Sequence, residues 1–246
     1  MKRLLIFISI ASMALGLAAF QCSSTEITSA KLYIQQDNLP KAKEALLKEI
    51  NKNSQSDEGL YLLGFVYGEM EEYDSMSHYY DKSLDVSNKF KDKIQESKRY
   101  HWSQTFNKGV NYFNAASKAS SPDTTQMYFD KAINFFKIGT RLQPDSVATY
   151  KNLTYAYINS GEVEKALDPL NEWNELKSTP KSYSLMGELY TTLGQKKMRS
   201  YKMNGNKEDS VQAMEYYNKT IEKMKEARKK FPNNSDLLRF LSNAYI

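Results

Sequence analysis

The chain has one cysteine and two histidines in 246 residues. The lone Cys22 cannot build an internal disulfide framework or a cysteine-based zinc site. His78 and His101 leave little for His-rich metal chemistry or for acid–base catalysis near neutral pH. Only 10 Gly and 6 Pro occur, and no glycine loop of the phosphate-cradling kind. The H-E-x-x-H, G-x-S-x-G and EF-hand patterns are absent as well. Acidic pairs such as Glu71–Glu72 and Glu162/Glu164 fall at expected hairpin turns or helix starts, where a carboxylate suits the helix N-terminus. These absences argue against an enzyme and imply no catalytic residues, no metal ligands and no cofactor. What is present is material for a core: 41% hydrophobic and 13% aromatic residues.

The first residues read as an export leader. Met1-Lys2-Arg3 is basic, Leu4 to Phe20 is uncharged and mostly apolar, and Ala18 and Ala19 are small. That order is the pattern of a secretory signal peptide, assigned to residues 1–21. A permanent membrane span needs about 20 apolar residues, and this run is shorter and interrupted by Ser9 and Ser12. Cys22, followed by Ser23, Ser24 and Thr25, resembles the lipobox cysteine of bacterial lipoproteins, which becomes the lipidated first residue of the mature chain. Gln21 departs from that pattern, which prefers Gly, Ala or Ser before the cysteine. The alternative is a lone cysteine left beside an ordinary cleavage site. The formal charge of +5 is interspersed with acidic residues, and with the export leader it argues against nucleic acid as a ligand.

The remainder has a helical period. Leu60, Leu63, Gly64 and Tyr67 are followed by Tyr73, Met76, Tyr80 and Ser83. The same internal distances return in Tyr150, Leu153, Thr154 and Tyr157, then Ala166, Leu170 and Trp173. Ala30, Tyr33, Ala42 and Leu46 stand one repeat before Gly64, Tyr67, Met76 and Tyr80. A further set holds Gly109, Tyr112, Ala132, Phe136 and Pro144, and another holds Gly187, Tyr190, Ala227 and Pro232.

This pattern resembles the tetratricopeptide repeat family, whose unit of about 34 residues is a helix–turn–helix. The resemblance covers residues 22–246, with units near 23–56, 57–90, 102–146, 147–180, 181–234 and a partial one at 235–246. It implies an all-α fold, a right-handed superhelical solenoid in which each hairpin buries its apolar face against the next. Two units exceed the family length, by about 11 and about 21 residues. Breaks at Ser120-Ser121-Pro122 and Asn204-Gly205-Asn206 predict elongated hairpins there, unless the later one turns early at Gly194. Leu238, Phe240, Leu241 and Tyr245 open a sixth first helix with an apolar end, expected either to dock as a lone cap or to continue a longer solenoid.

In the family the first helices line a concave face. By register, that face receives Tyr61, Phe65 and Glu69, then Phe106, Val110, Phe113 and Asn114, then Lys151, Tyr155, Ile158 and Asn159, and Glu188. The resemblance therefore implies a non-enzymatic scaffold or adaptor that holds another envelope protein or peptide. With the leader, the expected location is the bacterial cell envelope, lipid-anchored through Cys22 at the periplasm-facing outer membrane. The alternative is an envelope lipoprotein that captures a glycan or small solute by stacking on aromatic faces, for which the chain offers Trp102 and Trp173. A purely structural spacer is a third reading.

Overall fold

The computed structural model describes residues 24–237. The leader, Cys22 and the expected helix at Leu238, Leu241 and Tyr245 lie outside the described residues. Among the described residues there is no strand, and helices follow one another through short turns. They form five hairpins: α1 (Thr25–Gln35) with α2 (Leu39–Lys52), α3 (Asp57–Glu69) with α4 (Tyr73–Val86), and α5 (Lys91–Ala116) with α6 (Pro122–Leu142). Then come α7 (Val147–Asn159) with α8 (Leu167–Leu176), and α9 (Pro180–Asn204) with α10 (Lys207–Lys230). Two compact units divide the chain, Met1–Ser97 and Lys98–Ile246, the boundary falling inside α5.

Local chemistry sets the helix boundaries. Ser24, Asn38, Ser56, Ser121, Ser146, Thr179 and Asn206 each occupy an N-cap and accept a backbone N–H with the side-chain oxygen. Such a cap satisfies a donor that the helix itself cannot, and contributes about 1 kcal/mol. The turns inside three hairpins share one geometry. Asp37, Glu71 and Gly161 all have positive φ (55°, 60° and 83°). The next N–H in each case bonds back to a tyrosine carbonyl: Asn38 to Tyr33, Glu72 to Tyr67 and Glu162 to Tyr157, at 2.8–2.9 Å. This is the Schellman ending, in which a left-handed residue turns the chain out of the helix and satisfies its last carbonyls.

In the first unit the core is built from Leu46, Leu60, Leu63, Met76 and Tyr80, all essentially without solvent exposure. Gly64 lies under the Tyr80 ring, and the Tyr80 hydroxyl donates to Ser97 Oγ at 2.6 Å. Burying each such side chain contributes roughly 1.5–3 kcal/mol. The second unit repeats the device at Gly109, where an added Cβ would stand 2.6 Å from Phe136 Cε1. Its larger core gathers Leu170, Trp173, Tyr183, Met186, Leu189, Met224 and Ala227 from α8, α9 and α10.

The extra residues of both long units lie within hairpins. Ser121 caps α6 with Pro122 at its first position, so the turn after α5 is sharp. The α9–α10 turn is made by Gly205 (φ 69°) with Asn206 capping the next helix. No early turn occurs at Gly194, because α9 continues through it. The glycine instead makes room for a ring: an added Cβ would lie 2.6 Å from Tyr217 Cε1.

Candidate interaction surface

The residues assigned to the first-helix face fall in both units. In the first unit Tyr61, Phe65 and Glu69 sit on α3, one helical turn apart, so they share a stripe. The Tyr61 ring stacks on Phe90 with centroids 4.7 Å apart and 3° between planes, and on Tyr80 at 6.1 Å, and the residue is half-buried. Phe65 is half-buried and opens, with Tyr61 and Leu62, onto a pocket of about 270 Å³ whose other wall is Lys31, Ile34 and Gln35 of α1. Glu69 ends the stripe, exposed, where partial burial and then the neighbouring Asp37 carboxylate raise its pKa above the ordinary glutamate value.

In the second unit the same register places side chains that are likewise half-buried. Phe106 packs between Trp102 (centroids 5.5 Å) and Phe136 (5.8 Å). Val110 and Phe113 are half-buried against the core of Ala132, Ile133, Phe136, Leu153 and Ala156, with Phe113 edge-on to Phe129. Asn114 is exposed near the end of α5. On α7, Lys151 Nζ lies 5.9 Å from the Trp173 ring centre, and Tyr155 tilts against the same ring at 6.2 Å. Ile158 packs on the large core, while Asn159 donates from Nδ2 to the Tyr155 carbonyl at 2.7 Å. Glu188 is exposed on α9.

The structure thus brings Tyr61 and Phe65 together around an open pocket, and it commits Phe106, Val110 and Phe113 largely to packing. The pocket also contains residues the register reading left out: Lys31, Ile34 and Gln35. Moving Phe65 and Glu69 back by one 34-residue repeat lands on Lys31 and Gln35, so a signal for two of them was available. Trp173 is buried and the Trp102 indole N–H is engaged by Thr149 Oγ1 at 2.8 Å. Among the described residues no cluster of three metal-ligating side chains occurs, and no helix is long and apolar enough to cross a membrane.

The tetratricopeptide repeat family model matches residues 57–90, the α3–α4 hairpin. No curated protein matches the chain. Solved structures with a similar helical arrangement include a thermophilic tetratricopeptide-repeat protein of Thermus thermophilus (TTC0263). That structure is 15% identical, with 89% of this chain and 97% of that one covered, at a TM-score of 0.42. The TPR2AB domain of yeast Sti1, solved in complex with pHSP90, is 12% identical, covering 90% and 84%, at a TM-score of 0.37.

Proposed function

We propose that this tetratricopeptide-repeat protein is a non-enzymatic adaptor that holds a protein partner on the first-helix face of its first unit, formed by α1 and α3. The observation that carries this reading is the pair Tyr61 and Phe65, half-buried beside Ile34 of the preceding first helix and open on one side. Apolar side chains that a hairpin leaves accessible in a row are suited to a peptide or helix. The partner is an envelope protein, and the chain reaches it by export and by lipid attachment at Cys22. That location rests on the basic, apolar and small order of residues 1–21 and on the position of the sole cysteine. Solute capture has less to rest on, since Trp173 is buried in the core and Trp102 is tied to Thr149.

Crosslinked capture from the native cells tests the adaptor role, with Phe65→Ser as the comparison. A specific envelope protein recovered only with the unmodified chain supports it, and equal recovery by both forms contradicts it. Metabolic labelling with a palmitate analogue, lost in Cys22→Ser, tests the anchor separately.

A further inference from the structure

The buried residues of α9 stop at Gly194, and residues 195–204 carry the helix on to the turn at Gly205. α10 buries a single stripe, Asp209, Ala213, Thr220, Met224 and Ala227. That stripe faces α9: Asp209 meets Lys197 and Ser200, and Thr220 meets Thr191. Gly194 faces Tyr217 of α10, and Met203 lies about two and a half helical turns further on, so it points away from α10. Val211 and Met214 lie opposite the buried stripe of α10 and point away from α9. The three side chains are 83%, 58% and 52% exposed, on both flanks of one turn. Among the described residues the other open large apolar side chains, Leu32, Tyr100, Met127 and Leu176, each fall on a different helix.

The same stretch is basic. Residues 195–207 hold Lys196, Lys197, Arg199, Lys202 and Lys207 and no Asp or Glu. Lys197 pairs with Asp209 at 3.3 Å, while the other four are exposed and meet no carboxylate among the described residues. Besides Asp209, the acidic side chains up to residue 215 are Glu208, to which Gln212 donates, and Glu215.

We propose that the tip of the α9–α10 hairpin enters the headgroup layer of an anionic bilayer, with Met203, Val211 and Met214 below the phosphates and Lys196, Arg199, Lys202 and Lys207 among them. A folded protein docks on one flank of a hairpin and would leave either Met203 or the pair Val211 and Met214 in water. A fluid headgroup layer closes around the tip and meets both flanks together. The dimensions agree with shallow insertion. At 1.5 Å per residue, Met203 and Val211 lie within about 8 Å of the turn along the helices and Met214 within about 12 Å. Arg199 and Lys196 stand about 9 and 14 Å from it, at a level where long basic side chains reach phosphates. The inference is independent of the adaptor reading, whose face lies on α1 and α3.

The test is co-sedimentation of the processed chain, residues 22–246 with Cys22→Ser so that no acyl chain contributes, with vesicles of equal parts phosphatidylcholine and phosphatidylglycerol. Three triple variants are compared at exposed positions, with glutamine keeping the helix propensity. They are Lys196→Gln, Arg199→Gln, Lys202→Gln; Met203→Gln, Val211→Gln, Met214→Gln; and, as a control of equal charge loss, Lys89→Gln, Lys91→Gln, Lys93→Gln. The first should weaken binding roughly 100-fold and the second about tenfold, while the control stays within about twofold of the parent. Because Cys22 is the sole cysteine, Met203→Cys in the same background carries a single polarity-sensitive fluorophore, whose emission should shift to the blue on these vesicles. Absence of binding, equal weakening by the control, or an unshifted emission at position 203 would each overturn the proposal and leave the adaptor reading untouched.

Discussion

Gly64 sits beneath the ring of Tyr80: a Cβ on Gly64 would stand 2.5 Å from Tyr80 Cδ1, closer than two carbons can approach. Tyr80 has no solvent exposure and its hydroxyl is held by Ser97 at 2.6 Å, so the ring has nowhere to go. Replacing this glycine by alanine gains about 1 kcal/mol of helix propensity, but overpacking a rigid core costs about 1–3 kcal/mol. The net expectation for Gly64→Ala is destabilisation, read as a lower midpoint in urea. Gly194→Ala makes the contrast. Its neighbour Tyr217 is half-exposed and can swing aside, so that variant should be close to neutral or gain.

Gly161 is constrained by backbone rather than by space. Its φ of 83° lies in the left-handed region, and nothing stands within 4 Å of a Cβ placed there. An alanine at this turn costs about 1–2 kcal/mol through conformation alone. Thermal unfolding of Gly161→Ala should show that loss, whereas Gly161→Asn should recover part of it, since asparagine tolerates the same conformation.

Tyr183, fully buried, donates its hydroxyl to Glu226 Oε1 at 2.5 Å, and Lys223 and Lys230 approach the same carboxylate. Chiefly through the Tyr183 bond, and then through the two lysines, the Glu226 pKa is lowered to about 2 from the ordinary 4.5. A depressed folded pKa means the stabilisation is fully present above the unfolded value and is lost as pH falls toward 2. Stability of the unmodified chain should therefore decline between pH 4.5 and 2. Glu226→Gln should flatten that part of the acid limb, measured by urea unfolding across the window. Tyr183→Phe, which removes the donor, should cost roughly 1–2 kcal/mol at neutral pH.

The Trp102 indole N–H reaches the buried Thr149 hydroxyl at 2.8 Å, joining α5 to α7. Thr149→Val conserves the shape while removing the acceptor, leaving a donor to be desolvated at a cost of about 1–3 kcal/mol. The expected signs are a lower unfolding midpoint and a shift in tryptophan emission. An unchanged spectrum and midpoint would show that the bond is not made in solution.

Much of the fold is legible in the sequence because its determinants are local. The helical period and the offsets of Gly64, Tyr67, Met76 and Tyr80 mark the hairpin. Ser121-Pro122 and Asn204-Gly205-Asn206 announce the long turns through caps and backbone preference. The pocket is less legible. Phe65 and Val110 hold matching places in their first helices, each directly after a glycine, yet Phe65 opens onto a pocket while Val110 packs against the core of Ala132, Ile133, Phe136, Leu153 and Ala156. That difference is set by neighbours from other helices, which register along one chain does not reveal. The start of the fourth hairpin's second helix is another instance. Val163–Ala166 winds as a 3-10 turn with no side-chain cap, where the repeat pattern suggests ordinary helix.

The measurement that bears most directly on the adaptor role is site-specific photocrosslinking in the native cells. A photoreactive residue is placed at position 65 on the first-helix face or, as a control, at position 214, where Met214 faces outward on α10. A partner seated on Tyr61 and Phe65 should give a discrete adduct from position 65 and none from position 214. Adducts from position 214 alone, or none from either, would contradict a partner held on the first-helix face.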